Sequence, residues 1–299
     1  MLCFFGLSAF PLTPMRDNFV DEEAFVGLLQ RLVGAKVDSI GVLGSKGNYA
    51  YLTREERKRV VQIAVQHANN IPVMIGISAL NLRDVLLNVE DAQTAGASAV
   101  LLAPISYQQL TENEVYKLYE VVTSELSVPL CVYDNPGTTH FNFSDELHAR
   151  IAELPNVRSI KIPGVPIDPQ AALDRVNRLR ALIPEHVSIG ISGDAFAATG
   201  LNAGCDVWYS VIAGLYPKVA KAMTSSAQKG DKQEVLRLSA SLTPMWELYH
   251  RNGGSLRVVA TAAEIQNLVM SPCLPLPLRA LEGKKRKELT SLLDNLKLS

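Results

Sequence analysis

Three places in the 299-residue chain offer side chains with chemistry to do: Lys161, Tyr133 and Ser45. Lys161 lies in the run Val157-Arg158-Ser159-Ile160-Lys161-Ile162-Pro163-Gly164. Alternate residues of a strand share a face, which predicts Val157, Ser159 and Lys161 on one side and Ile160 and Ile162 on the other. If the isoleucines pack on helices, Lys161 points into the interior, where burial disfavours the ammonium and lowers its pKa. The neutral amine is the nucleophile that condenses with a ketone to a Schiff base. A lysine that snorkels past the strand end fits the same spacing. Tyr133 ends the run Cys131-Val132-Tyr133 and shares a face with Cys131. A phenol there shuttles protons if its neighbours stabilise the phenolate, or it is a core tyrosine with a satisfied hydroxyl. In Gly41-Val42-Leu43-Gly44-Ser45-Lys46-Gly47-Asn48, glycines flank Ser45 and let backbone amides approach a small anion. Gly-Ser turns are common, and Lys46 either helps hold a carboxylate or stands exposed.

Such residues need elements to place them. Short β-rich runs at 4–9, 39–43, 72–77, 99–102, 129–133, 157–162, 187–191 and 207–211 alternate with amphipathic stretches at 21–33, 54–68, 82–95, 112–125 and 169–182. Thr53 with Glu56, and Thr111 with Glu114, read as capping boxes at helix starts. Apolar strands without polar alternation predict burial on both faces, hence a parallel sheet covered by helices. Eight β-then-α units predict a closed α/β (β/α)8 TIM barrel, with chemistry at the strands' C-terminal ends. An open doubly wound sheet is disfavoured because no GxGxxG opens the first helix. Beyond about Leu215 the pattern turns helical, at 221–249, 256–270 and 281–296, with a proline-rich break at 271–277. The expected organisation is a catalytic barrel over 1–220 and a C-terminal helical extension over 221–299. The charge run Lys284-Lys285-Arg286-Lys287 reads as a solvated helix face.

Composition excludes other classes. Lys and Arg total 29 against 30 Asp and Glu, a net charge of −1, which gives no footprint for nucleic acid or an anionic membrane. Aromatic residues make up 6%, too few for base-stacking platforms. No apolar run reaches the roughly 18 residues of a membrane span. The apolar start Met1-Leu2-Cys3-Phe4-Phe5 lacks a positive leader and is followed by Pro11 and Pro14, so it reads as a first buried strand rather than a signal core. Cys3, Cys131, Cys205 and Cys273 are far apart and read as reduced core thiols of a cytoplasmic protein. The five histidines show no metal-ligand spacing.

Together, Ala9-Phe10-Pro11-Leu12-Thr13-Pro14, the loop at 44–47, Tyr133-Asp134-Asn135-Pro136, Ser159-Ile160-Lys161 and Ser192-Gly193-Asp194 resemble the dihydrodipicolinate synthase and N-acetylneuraminate lyase family of class I pyruvate-dependent aldolases. The resemblance covers nearly the whole chain. It implies a homo-oligomeric barrel, tetramer or dimer, with no cofactor beyond the covalent imine on Lys161. By resemblance, Lys161 forms a Schiff base with a 2-oxo acid, usually pyruvate. Tyr133 transfers protons, Ser45 relays them and sits by the carboxylate, and Tyr209 lends its backbone beside the bound pyruvate. The second substrate or product is an aldehyde.

Four positions depart from the family pattern. Lys46 stands at the loop's second hydroxyl position, so its backbone amide alone carries over. Asn48 replaces a glutamate. Tyr107 is one residue out of register with the tyrosine that completes a relay across a subunit interface. Thr138 stands where lysine-biosynthetic members have an arginine that grips a dicarboxylate; loss of such a charged contact costs about 1.5–3 kcal/mol. A lyase acting on an aldehyde other than aspartate semialdehyde is the leading expectation. The alternatives are a true 4-hydroxy-tetrahydrodipicolinate synthase, with Lys46 supplying the missing charge, and a non-catalytic ligand-binding barrel.

Overall fold

The computed structural model describes residues 4–298. Among these, eight parallel strands close into a barrel in which each strand pairs with its neighbours in sequence and the last returns to the first. They are β1 (Gly6–Ala9), β2 (Ser39–Val42), β3 (Val73–Gly76), β4 (Ala99–Leu102), β5 (Leu130–Tyr133), β6 (Val157–Ile162), β7 (Ser188–Ile191) and β8 (Val207–Ser210). Every one falls within an expected segment. The covering helices are α1 (Glu22–Gly34), α2 (Arg54–His67), α3 (Leu82–Thr94), α4 (Glu112–Ser124), α5 (Asp145–Ala152), α6 (Pro169–Leu182), α7 (Ala197–Asn202) and α8 (Pro217–Gln228). Both capping boxes form: Thr53 Oγ1 accepts from Glu56 N while Glu56 Oε2 accepts from Thr53 N, and Thr111 and Glu114 do the same.

The C-terminal extension departs from expectation in detail. The helix expected over 221–249 is three helices: the end of α8, then α9 (Lys232–Ser241) and α10 (Thr243–Arg251). Gly230, at φ 77°, turns the chain after α8. Pro244, in the first turn of α10, has no N–H with which to continue α9. The expected division at 220 and 221 falls inside α8, which packs on β1 as the barrel's eighth helix. Next comes α11 (Ser255–Ile265), ending short of residue 270 where Asn267 takes φ 55°, and then α12 (Gly283–Leu296). On α12, Lys284, Lys285 and Lys287 are exposed as expected. Arg286 is not simply solvated: it pairs at 2.6 Å with the buried Glu264 of α11. A small hairpin of Met15–Arg16 with Phe19–Val20 was not expected; its turn residues Asp17 and Asn18 both take positive φ, as a primed hairpin turn requires.

Two layers of side chains divide the interior. Outward-facing strand residues such as Ile40, Ile75, Val100, Val132, Ile160, Ile162 and Ile189 join the helices in one large apolar cluster. Full burial of each is worth about 1.5–3 kcal/mol. Inside the barrel a second cluster holds Phe10, Met74, Leu101, Cys131, Tyr133, Val207 and Tyr209. Val157 does not share the inner face with Ser159 and Lys161, as strict alternation predicts; it belongs to the outer cluster. The register shifts between Leu130 and Cys131, pairing Leu130 with Val157 but Cys131 with Ser159, so Arg158 is the extra residue that resets the alternation. Cys131, Cys205 and Cys273 are buried free thiols, while Cys3 lies outside the described residues.

Missing side chains hold the mouth together. A Cβ on Gly76 of β3 would lie 1.9 Å from the Leu43 carbonyl oxygen, so only glycine lets the chain after β2 settle there. Gly76→Ala should therefore lower the melting temperature sharply, by several degrees or more, and displace the loop at 44–47. Gly27→Ala, on the exposed face of α1 with nothing within 4 Å of the new methyl, should raise stability by about 1 kcal/mol. Thermal denaturation of the two variants checks both directions.

Candidate active site

The register of the barrel places the reactive side chains side by side. Lys161, one residue before the end of β6, is the Cα partner of Tyr133 on β5 and of Gly190 on β7. Its side chain is 4% exposed, so it points inward and does not reach past the strand end to solvent. Nζ lies 4.0 Å from the ring centres of both Phe10 and Tyr133 and 5.4 Å from that of Tyr209. No hydrogen bond or ion pair holds it among the described residues. Burial pushes the amine down to about 7, opposed in part by Cys131 and Asp194. At neutral pH a substantial share of Lys161 is therefore the nucleophilic free base.

Glycines make the room for these rings. A Cβ on Gly41 would lie 2.4 Å from Phe10 Cζ, and one on Gly44 would lie 2.9 Å from Phe10 Cδ1. A Cβ on Gly190 would lie 2.2 Å from Tyr209 Cε2. Phe10 and Tyr209 then meet edge to face at 6.1 Å, forming the floor under Lys161. The Tyr209 hydroxyl is held below by Ser159 Oγ at 2.6 Å and receives the Cys131 thiol at 3.4 Å.

Tyr133 is the adjacent acid–base group. Its hydroxyl lies 3.3 Å from Ser45 Oγ and accepts a hydrogen bond from Asn135 Nδ2 at 2.9 Å. Burial raises its pKa, while Ser45 and Asn135 pull it back down. The phenol is thus protonated at rest, and with Asn135 occupying one lone pair its proton is directed to Ser45 or to a bound substrate. Ser45 is fixed by its loop: Leu43 takes φ 56° and Gly47 N donates to Gly44 O at 2.8 Å. Asn48 ends the loop at φ 57°, buried, with Nδ2 on the Thr13 carbonyl at 2.8 Å. It acts here as a tether between two barrel loops, a role its αL conformation suits.

Lys46 is half-buried beside this loop, with no hydrogen bond or ion pair among the described residues. Burial lowers its pKa, against the opposing pull of Asp194. Asp194 itself is 5% exposed and saturated: Oδ1 accepts from Trp208 Nε1, Ser210 Oγ and Val211 N, and Oδ2 from Ile212 N. Burial outweighs these donors and raises its pKa to about 6.

Lys161, Tyr133 and Ser45 are thus brought together, with Tyr209 packed beneath and Lys46 beside them. Two other expected residues are not part of this cluster. Tyr107 is 92% exposed, and Thr138 is exposed on a one-turn helix, Pro136–Thr139, its Oγ1 3.4 Å from the Asn135 carbonyl. Sequence reading gave no role to Phe10, Asn135 or Asp194. Asn135 follows Tyr133 by two residues, a spacing that put it within reach of the same mouth; nothing in the type or spacing of Phe10 marked it. No three His, Cys, Asp or Glu side chains converge among the described residues as a metal site would require. No helix among them is long and apolar enough to cross a membrane.

Comparison with known proteins agrees with the barrel fold. A crystal structure of dihydrodipicolinate synthase from Agrobacterium tumefaciens str. C58 superimposes with a TM-score of 0.93 at 43% identity, covering 98% of each chain. The chloride-inhibited dihydrodipicolinate synthase of Acinetobacter baumannii, complexed with pyruvate, has the same fold, with a TM-score of 0.89 at 24% identity over 99% of this chain and all of its own. The 4-hydroxy-tetrahydrodipicolinate synthase of Rickettsia typhi is 26% identical over 296 residues, 99% of this chain and 98% of its own. The model of the dihydrodipicolinate synthetase family matches residues 3–296. With a match from end to end, the chain belongs to the dihydrodipicolinate synthetase family and is a dihydrodipicolinate synthase-like lyase of the aldolase type.

Proposed function

We propose that Lys161 forms a Schiff base with a 2-oxo acid, pyruvate, and that the resulting enamine makes or breaks a carbon–carbon bond to an aldehyde. The observation that carries this reading is a buried amine, unpaired among the described residues, with a phenol ring 4.0 Å away whose hydroxyl is wired to Ser45 and Asn135. The amine adds to the C2 carbonyl, and the carbinolamine, its hydroxyl protonated by Tyr133, loses water to give an iminium. The iminium draws electrons from C3, which gives up a proton to the Tyr133 phenolate and becomes the enamine. C3 then attacks the aldehyde carbon, and the new alkoxide takes a proton from Tyr133. Water hydrolyses the iminium, restoring Lys161 and releasing the longer 2-oxo acid; cleavage is the reverse. Each step needs a proton moved within reach of C2 or C3, which Tyr133 and Ser45 supply, so no cofactor is invoked.

The aldehyde is the open part of this reading. Thr138 offers an exposed hydroxyl and no charge at the rim, which supports an aldehyde other than aspartate semialdehyde, from the breakdown of a sugar acid or hydroxy acid. The names of the relatives favour a second reading, a true 4-hydroxy-tetrahydrodipicolinate synthase. Formation of the cyclic product from pyruvate and aspartate semialdehyde decides between them. We also infer a cytoplasmic enzyme, on the strength of its buried free thiols, and a homo-oligomer. In that setting the 92% exposed Tyr107 would be covered by a second copy.

Borohydride reduction with pyruvate should leave one pyruvate-sized adduct, and peptide mapping should place it on Lys161. Lys161→Ala should abolish it; an undiminished adduct in that variant refutes the assignment. The pH dependence follows from the depressed amine pKa. The nucleophilic base grows as pH rises, so trapping with cyanoborohydride should speed up from about pH 5 and level off above about 7. An ordinary lysine would keep accelerating toward about 10.4. Tyr133→Phe should slow exchange of the pyruvate methyl protons with D2O, followed by NMR, by about a hundredfold or more. That measurement needs no knowledge of the aldehyde.

A further inference from the structure

Asn135 stands two residues after Tyr133, where the chain leaves β5, and its backbone is held from both sides. Asp134 N donates to the Lys161 carbonyl at 3.0 Å, tying the residue before Asn135 to the residue that carries the amine. The Asp134 side chain is buried, 3.5 Å from His148 Nε2 on α5. On the other side, the Asn135 carbonyl accepts from Thr138 N and Thr139 N at 3.0 Å each, and from the buried Thr139 hydroxyl, also at 3.0 Å. Thr139 Oγ1 in turn accepts from Phe141 N at 3.3 Å. The one-turn helix is thereby folded back on a single carbonyl, which leaves the Asn135 side chain few directions to take. Its Nδ2 lies 2.9 Å from the Tyr133 oxygen. Its Oδ1 lies on the Gly137 side, 3.9 Å from where a Cβ of that glycine would stand.

The chemistry makes a particular demand on that phenol oxygen. Tyr133 gives a proton to the carbinolamine hydroxyl and takes one from C3, so between those steps its oxygen carries a negative charge. Burial disfavours the charge, and donors aimed at the oxygen offset it. Ser45 Oγ at 3.3 Å is one donor; Asn135 is the other, at the shorter distance. A carboxamide suits the place because it donates an N–H without adding a charge. A carboxylate there would repel the phenolate and favour the ammonium of Lys161. A hydrogen bond to an ionised acceptor is roughly twice as strong as a neutral one, so the contact tightens as the phenolate forms. An interaction that strengthens along the reaction raises the rate and leaves substrate binding alone.

We propose that Asn135 is a positioning residue for proton transfer: its Nδ2–H holds the Tyr133 phenolate between the two steps, so that the relay of Ser45, Tyr133 and Asn135 is complete within one protomer and takes no hydroxyl from a second copy. This rests on the Schiff-base reading and deepens it. Tyr107, 92% exposed, then has no part in the relay even where a second copy covers it.

Exchange of the pyruvate methyl protons with D2O, followed by NMR, isolates these steps without an aldehyde. Asn135→Ala should slow it by about tenfold or more, the span of one hydrogen bond to a charged group. The pyruvate concentration that half-saturates cyanoborohydride trapping on Lys161 should stay within about twofold. Asn135→Asp keeps the shape and loses the donor, and should be slowed at least as much. In Tyr133→Phe there is no phenolate to hold, so adding Asn135→Ala to that variant should cost nothing more. Tyr107→Phe, which removes only a hydroxyl, should exchange within about twofold of the wild type. Exchange at the wild-type rate in Asn135→Ala overturns the assignment. A wild-type rate in Asn135→Asp, or a full additional loss on the Tyr133→Phe background, overturns it too, since the residue would then only shape the turn. A loss in Tyr107→Phe equal to that in Asn135→Ala overturns the single-protomer relay. Failure of the wild-type enzyme to trap pyruvate at all overturns the Schiff-base reading itself, and every other outcome presupposes that adduct.

Discussion

An amine with no counter-ion among the described residues, closed in by aromatic rings, is the constraint from which the rest of the mouth follows. Lys161 has its ammonium form disfavoured by burial, and Phe10 and Tyr133 lie at 4.0 Å instead of a carboxylate. Ring faces attract a cation more weakly than a buried carboxylate would, so they hold the side chain in place and leave it able to lose its proton. A salt bridge at this position would restore the charge and remove the nucleophile. The barrel provides what a solvent-exposed strand end would not: strands on both sides whose register places Tyr133 and Gly190 next to the lysine.

The rings need volume at the centre of a barrel whose interior is already filled. It comes from backbone positions without side chains: Gly41 and Gly44 for Phe10, and Gly190 for Tyr209. Gly76 serves the same end indirectly, since the Leu43 carbonyl rests where its Cβ would stand. Leu43 accepts φ 56°, a conformation costly for a branched side chain, and so turns the chain toward Ser45. Packing and chemistry are therefore set by the same few residues, and a methyl added at Gly76 would reach Ser45 through the backbone alone.

Much of this could be read from the chain. Eight strands without polar alternation required burial on both faces, and burial with eight repeats led to the closed barrel. Lys161 and Tyr133 stood out because polar groups at the ends of apolar strands need a reason to be there. The errors are local and have physical causes. Val157 broke its alternation because a bulge depends on the neighbouring strand, which a period-two rule does not include. The stretch 221–249 has helical periodicity throughout, yet Gly230 and Pro244 divide it into three helices. Phe10 was visible only as part of a motif, because its role comes from where the fold puts an ordinary apolar ring. Asp194 was visible only as part of a motif, since its four donors come from β8 and the turn after it, 14 to 18 residues away.

Asp194 also shows how a carboxylate can lie near this lysine without quenching it. Left free, its charge would draw Lys161 or Lys46 into an ion pair and restore the ammonium. The Trp208 indole, the Ser210 hydroxyl and the amides of Val211 and Ile212 occupy it instead. Two of those donors are backbone N–H groups of the chain leaving β8, so the hydrogen bonds that satisfy the carboxylate also fix the loops after β7 and β8 to each other. Burial still lifts its pKa to about 6, which leaves it mostly ionised at neutral pH and still able to favour the charged form of Lys161 at a distance. The balance between that distant pull and the stronger effect of burial leaves the Lys161 amine near neutrality, where it can both attack a carbonyl and carry the positive charge of the iminium.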